Sequence, residues 1–253
     1  MLEAKMTFRT KVLIISLVLL CTIPAGLSLA ADSTYQTITS EQLKALIDEK
    51  KAFTLIDART EEEYQEAHII TAINIPEKSF ESLTSLLPAD KNAQLVFYCN
   101  GVKCGKSKRT AKKAEALGYT NIVIYNEGFP VWEEKNLPIV AGAEYGRKIE
   151  TTKLKPADMK ALIDENKNDY VLVDVRDASE YKEGRIPGAI NIPAERFASA
   201  QDILPKEKKI IVYCNTGSRS YMAYRKLIKM DYKQIYQTLF AEWKEAGFEE
   251  LKK

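Results

Sequence analysis

The sequence is written twice. "KALID" at residues 44–48 returns at 160–164, "LIDAR" at 55–59 is answered by "LVDVR" at 172–176, and "AINIP" at 72–76 returns at 189–193, offsets of 116, 117 and 117 residues. Cys99 and Cys214, 115 residues apart, fall in the same order. Collinear matches at a near-constant offset report one duplicated unit, so the fold must be one that the chain can build twice. We expect two domains, residues 36–142 and 150–253, joined near "AGAEYGRKIETT" at 141–152.

Each copy alternates helical and strand patterns. Thr39 and Gln42 have capping-box spacing ahead of "LKALIDEKK", and Pro156 suits the first turn of "ADMKALIDEN". Short β-rich runs follow in pairs: "FTLIDA" and "YVLVDV", "LVFYC" and "IIVYC", "NIVIY" and "QIYQT". Runs this apolar, separated by helical segments such as "SKRTAKKAEALGY" and "SYMAYRKLIKMDY", predict an α/β class with a mainly parallel sheet and helices on both faces in each half. In such sheets ligands gather at the carboxyl ends of the strands, where both Cys99 and Cys214 are expected.

The N-terminus reads differently. Lys5, Arg9 and Lys11 precede an uncharged stretch from Val12 to Ala31, and Ser28 and Ala30 are the small residues that a signal peptidase accepts. Residues 1–30 are therefore expected to be a signal peptide, placing the protein outside the cytoplasm, in the periplasm. The alternative is an uncleaved membrane anchor, because the stretch approaches the roughly 20 residues that span a bilayer. "VLLC" ending at Cys21 lacks the small residues expected before a lipidated cysteine. Without residues 1–30 the chain has 34 basic and 34 acidic residues, so the formal charge of +2 on the whole chain points to no nucleic-acid partner. Cys99, Cys104 and Cys214 remain, an odd number for an oxidising compartment. At least one thiol then lacks an intramolecular partner, as a reactive site requires.

Each cysteine is followed by a loop and then a helical pattern. Backbone amides curling round a sulfur, with the positive end of a helix behind them, favour the thiolate. In "CNTGSRS" Gly217 permits tight curvature and Arg219 adds a fixed positive charge. The loop Asn215, Thr216, Gly217, Ser218, Arg219 is thus an anion-accepting cradle with Cys214 at its floor. In the first half Asn100, Gly101, Val102, Lys103 and Cys104 follow Cys99; this stretch has no arginine, and Lys103 or Lys106 is the candidate for its charge.

Both halves resemble the rhodanese family. The second carries "DVRDASEYKEGRIPGAINIP" and then "YCNTGSRS"; the first carries "DARTEEEYQEAHIITAINIP", "YCNGVKCGKS" and "EGFPVW". The resemblance implies a sulfurtransferase of the thiosulfate type, in which Cys214 and Cys99 carry sulfur as a persulfide. It implies a small sulfur-containing anion as donor, and an acceptor that is cyanide-like or a thiol, a protein thiol included. No cofactor and no metal is implied. Asp57, Arg59, Asp174 and Arg176 fall on the family's Asp-x-Arg strand end, and mutual pairing is expected of them before any acid–base role. Three departures stand out: Arg185 where the family usually has histidine, "LFAEW" in place of "EGFPVW", and Cys104 at the count where the other loop has Arg219.

Cys104 is read in two ways, as a resolving thiol for Cys99 or as a small loop filler. The first motivates an alternative function, an exported redox or sulfur-carrier protein with Cys99 and Cys104 as its pair. Phosphatases that share the fold place five residues between cysteine and arginine, against four between Cys214 and Arg219, which favours sulfur over phosphate. His68, the single histidine, is expected to be structural, as are Trp132, Trp243, Tyr64 and Tyr181.

Overall fold

The apolar runs become the strands, and the sheets they build carry the two cysteine loops at one end. The computed structural model describes residues 35–165 and 167–252; the expected signal segment and Cys21 lie outside them. The first domain runs β1 (Gln36–Ile38), α1 (Ser40–Asp48), β2 (Thr54–Asp57), α2 (Glu61–Glu66), β3 (Ala67–Ile69), β4 (Ile73–Asn74), β5 (Leu95–Tyr98), α3 (Lys106–Ala116), β6 (Ile122–Tyr125), α4 (Gly128–Glu134) and β7 (Ile139–Ala141). The second runs α5 (Pro156–Asp164), β8 (Tyr170–Asp174), α6 (Ala178–Glu183), β9 (Ile190–Asn191), β10 (Lys209–Cys214), α7 (Ser218–Lys229), β11 (Ile235–Leu239) and α8 (Phe240–Glu245). Among the described residues no helix is long and apolar enough to cross a membrane.

The first sheet has the order β1-β6-β5-β2-β4 and the second β11-β10-β8-β9, every pairing parallel. The duplication extends to the edges. Where the first domain adds β1 beside β6, the second makes a single parallel bridge between Lys153 and Gln237; where β3 pairs antiparallel with β7, Arg185 and Leu251 form one antiparallel bridge. Both sheets are covered on both faces, which is why their central strands are apolar throughout rather than alternating. Leu43, Trp132 and Phe129 lie on one face of the first sheet with Val96 and Val123, and Phe80, Ala111 and Ala114 on the other with Phe97 and Ile124. Tyr224 and Leu227 of α7 and Met159 and Trp243 cover the two faces of the second. The capping box of Thr39 and Gln42 and the first-turn Pro156 are both present.

The domains are bonded to each other. The Glu134 carboxylate, at the end of α4, accepts from Ala198 N at 2.8 Å, from Ser199 N and Oγ at 2.9 Å, and from Lys226 Nζ. Lys229 Nζ meets Glu133 at 2.7 Å, and Val131 is part of the second domain's core. The joining stretch at 141–152 is strapped down: Arg225 donates to Tyr145 O at 2.9 Å and Ile149 N to the Tyr221 hydroxyl at 2.9 Å.

Candidate active site

Each cysteine is placed by a buried node that the two domains share. Asp57 Oδ1 accepts from Arg59 N at 2.9 Å, its Oδ2 accepts from Arg59 Nη2 at 2.6 Å, and the Tyr98 hydroxyl donates to Oδ2 at 2.6 Å. Arg59 reaches on to Ala67 O at 2.7 Å and lies 4.1 Å over the Phe129 ring. In the second domain Asp174 takes Arg176 N at 2.9 Å and Nη2 at 2.5 Å, and Arg176 reaches Gly184 O at 2.6 Å and lies 4.0 Å over Phe240. Burial opposes each guanidinium's charge, but the paired aspartate outweighs it and raises both arginine pKa values. The paired reading of Asp57, Arg59, Asp174 and Arg176 is thus what the geometry gives. Tyr98 and Tyr213 immediately precede the cysteines, so the node fixes where β5 and β10 end. Asn74 and Asn191 complete it by donating to the carbonyls of Asp57 and Arg59 and of Asp174 and Arg176, at 2.8–3.2 Å. This is the work of the repeated "AINIP".

Cys214 closes β10, is 2 % exposed, and its sulfur is an acceptor. Gly217 N donates to it at 3.2 Å and Ser220 N at 3.4 Å, with the Ser220 hydroxyl also at 3.4 Å. Gly217, at φ +109°, provides the left-handed turn that caps α7 and aims these amides inward. Burial pushes the thiol's pKa up, yet the bonds from Ser220, Gly217 and Thr216 together hold it below the ordinary cysteine value. Gln237 buttresses that network. Its Nε2 donates to Gly217 O at 3.0 Å and to Ser220 Oγ at 2.7 Å, while Thr151 Oγ1 donates to its Oε1 at 2.7 Å. Ser220 Oγ accepts from Gln237, has Gly217 O within donating reach at 3.2 Å, and stands 3.4 Å from the sulfur. Arg219 forms a fork with Glu180, at 2.9 Å to Oε1 and through a second, short contact to Oε2. Thr216 and Ser218 are exposed at the mouth of the loop.

The first loop is built differently. Cys99 lies one residue beyond β5 and its sulfur donates, to Ser107 Oγ at 3.4 Å and to Gly101 O at 3.9 Å. Ser107 stands eight residues after Cys99, whereas its counterpart Ser220 stands six after Cys214, so this loop is two residues longer. The expected match of Cys104 to Arg219 is therefore corrected. Counting back from the serine, Lys106 takes the arginine's place, and it pairs with Glu63 at 3.2 Å as Arg219 pairs with Glu180. Lys103 does not serve the site: its ammonium donates to Leu204 O of the second domain at 2.5 Å. Gly101 O accepts both from Cys104 N at 2.9 Å and from Cys99 Sγ, so both cysteines belong to one turn. Burial, then the bond to Cys104, pushes Cys99 well up. Cys104 is drawn down to about 6, first by the neighbouring Cys99 thiol and then, against burial, by the amides of Asn100 and Lys106 and the Lys106 charge. The residue opposite Phe97 on β6 is Ile124, where the second domain has Gln237 opposite Val212; with no amide to occupy it, Ser107 Oγ is free to accept from Cys99.

The second domain also covers the first loop. A Cβ on Gly101 would fall 2.4 Å from Gln201 Oε1, and Gly101 and Gln201 are both buried. A cleft of about 580 Å³ is lined by Tyr64, Asn74, Pro76 and Lys106 among others, and by none of the cysteines. Val102, half-buried, adds no polar side-chain contact. His68 stacks on Tyr64 at 3.7 Å with Nδ1 on Tyr64 O, and Arg185 lies 4.8 Å over Tyr181, so the histidine-to-arginine departure keeps one flat group over one tyrosine. Tyr64 and Tyr181 donate to Ala72 O and Ala189 O at 2.8 and 2.6 Å. The glycine of "EGFPVW" is also explained: a Cβ on Gly128 would meet Gly101 N at 2.3 Å and Cys99 O at 2.5 Å. Leu239 takes the equivalent place in the second domain, where its side chain lies 3.5 Å from the position of a Cβ on Gly217.

Reading the sequence alone misses Glu63, Glu180, Ser107, Ser220 and Gln237. The glutamates carry a signal: Thr60 with Glu63 and Asp177 with Glu180 are capping boxes directly after Asp-x-Arg, and the same carboxylates turn to hold the loops through Asn100 and Lys106 or Asn215 and Arg219. Gln237 carries none, because a polar residue within "QIYQT" acquires its role only from the neighbouring strand.

A model of the rhodanese-like domain matches residues 39–135 and again residues 155–246. Among curated proteins, a sulfurtransferase of Allochromatium vinosum is 33% identical over 67 residues, 26% of this chain and 63% of that protein. The thiosulfate sulfurtransferase GlpE of Coxiella burnetii is 31% identical over 80 residues, 31% of this chain and 75% of that protein. Among solved structures, the thiosulfate sulfurtransferase of Pseudomonas aeruginosa aligns at 21% identity with a TM-score of 0.38, over 86% of this chain and 43% of that one. The match thus spans less than two thirds of the first of these proteins and of the last. With both halves matched and the duplicated node and cysteine loop in each, the chain belongs to the rhodanese-like family, as two tandem rhodanese-like domains.

Proposed function

We propose that the protein is a sulfurtransferase that takes sulfane sulfur from a donor such as thiosulfate and hands it to a thiophilic acceptor through a persulfide on Cys214. The observation that carries this reading is the inward convergence of Gly217 N, Ser220 N and the Ser220 hydroxyl on one sulfur. The Cys214 thiolate attacks the outer sulfur of thiosulfate, the S–S bond breaks, and sulfite leaves with the bonding electron pair. Cyanide or a thiolate then attacks the outer sulfur of the persulfide and restores the Cys214 thiolate. Arg219, oriented by Glu180, draws the anionic donor to the mouth, and the loop amides hold the charge that returns to sulfur. The names borne by the relatives favour the same donor class. Cys99, in the partly covered first loop, is proposed as a second carrier.

The test is thiosulfate:cyanide sulfurtransfer under reducing conditions by the protein beside Cys99→Ser, Cys214→Ser and the double variant. We expect Cys214→Ser to lose most of the activity and the double variant all of it; full activity in the double variant refutes the persulfide route. The Gly101 carbonyl that accepts from both Cys104 N and Cys99 Sγ puts the two cysteines in one turn and favours a second reading for the first domain, thiol redox or sulfur carriage toward a protein thiol. We further propose that residues 1–30 direct export to the periplasm. Cell fractionation with N-terminal sequencing of the recovered protein tests this, and a cytoplasmic protein beginning at Met1 refutes it.

A further inference from the structure

The first loop holds two thiols where the second holds one, and it holds them together. The carbonyl of Gly101 accepts from Cys104 N at 2.9 Å and from Cys99 Sγ at 3.9 Å, so one oxygen ties the backbone of one cysteine to the sulfur of the other. The two inserted residues make this turn possible, because they leave Lys106 and Ser107 to fill the places of Arg219 and Ser220. Access differs as well. Cys99 is 1 % exposed, Gly101 is pressed under Gln201, and Lys103 is tied to Leu204 O, so a protein-borne acceptor has no room to approach this sulfur from the side of the second domain. Cys104, half-buried inside the same turn, is already there.

From this cluster we infer that the first domain does not pass its sulfur on as a persulfide but releases it as hydrosulfide, with Cys104 attacking Cys99. The inference rests on the reading of Cys99 as a persulfide carrier. The step balances within the loop. Cys99 bearing the persulfide anion and Cys104 as thiol react with formation of the Cys104–Cys99 S–S bond and cleavage of the bond between Cys99 Sγ and the outer sulfur. The outer sulfur leaves with the electron pair and takes the proton given up by Cys104, as HS⁻. The two cysteine sulfurs are oxidised to a disulfide while the sulfane sulfur is reduced to sulfide. A further turnover requires an external dithiol to reopen the disulfide. Lys106, beside Cys104, supports the attacking thiolate.

The test uses the full chain with Cys214→Ser, fully reduced and freed of reductant, given thiosulfate or a low-molecular-weight persulfide in a single turnover. Sulfite release (with thiosulfate), hydrosulfide release and intact mass are followed together. We expect about one hydrosulfide per chain and a mass lower by two hydrogens. Adding Cys104→Ser should stop the reaction with the extra sulfur retained on Cys99, and hydrosulfide should then appear only when a thiol is added; Cys104→Ala gives the same result if the effect is chemical and not a packing fault. Retention of the extra sulfur on the chain with Cys104 intact, without hydrosulfide, overturns the inference while leaving the carrier reading of Cys99 in place. Failure of either donor to modify Cys99 at all, with Cys104→Ser as well, overturns both.

Discussion

Replacing Gln237 by isoleucine, the residue type found at the matching place in the first sheet, should make Cys214 behave more like Cys99. Gln237 Nε2 donates to both Ser220 Oγ and Gly217 O, and the serine proton is divided between Gly217 O at 3.2 Å and the sulfur at 3.4 Å. Without the amide, Gly217 O no longer shares its lone pairs with Gln237, so the existing bond from Ser220 Oγ competes better for the serine proton and the thiolate loses one charge-assisted bond. Such a bond contributes about 1.5–3 kcal/mol. The bonds from Gly217 N and Ser220 N remain, so we take the lower end; at about 1.4 kcal/mol per pKa unit, this raises the Cys214 pKa by about one. Near neutral pH the thiolate fraction, and with it the rate of attack on a sulfane donor, falls by up to about tenfold. The assay is the pH dependence of iodoacetamide alkylation of Cys214 in the Cys99→Ser, Cys104→Ser background, with sulfurtransfer in parallel. An unchanged alkylation midpoint in a variant with unaltered thermal unfolding refutes the argument that Gln237 directs the serine proton.

Three further outcomes follow from the same geometry. Asp57→Ala leaves Arg59, whose side chain is 3 % exposed, without its countercharge, and should cost about 3–5 kcal/mol in urea unfolding; Asp174→Ala should cost a similar amount because it strands the equally buried Arg176. Glu134→Ala strips Ala198 N, Ser199 and Lys226 of their shared acceptor across the domain boundary and should lower stability by about 3 kcal/mol, part of which Lys226→Met in the same chain restores by removing the stranded charge. Alkylation of Cys104 in the Cys214→Ser chain should rise with pH through a midpoint near the value of about 6 and move upward in Cys99→Ala, which removes the neighbouring thiol that stabilises the Cys104 thiolate; a midpoint unaffected by Cys99→Ala contradicts the proposed contact.

Much of this molecule was legible in one dimension. The repeat offset, the apolar runs and the paired caps determined two α/β units with parallel sheets, because burial on both faces leaves a compositional trace in every central strand. Asp-x-Arg was legible as a pair, since two residues two apart at a strand end have little choice of partner. The loop correspondence was not. Aligning from the cysteines puts Cys104 against Arg219, and only the serine that reaches the sulfur reveals that the first loop is two residues longer and that Lys106 is the equivalent cation.

What the sequence by itself determined is therefore the architecture and the presence of a cysteine at the carboxyl end of a strand in each half. What only the tertiary structure decided is the state of each sulfur: an acceptor at Cys214, where the amides of Gly217 and Ser220 meet it and Gln237 from the adjacent strand holds their loop, and a covered donor at Cys99, where the neighbouring strand offers Ile124 and the second domain lays Gln201 over the loop. Strand identity follows from local apolar pattern, whereas the direction of a hydrogen bond depends on which side chain a distant segment places beside it.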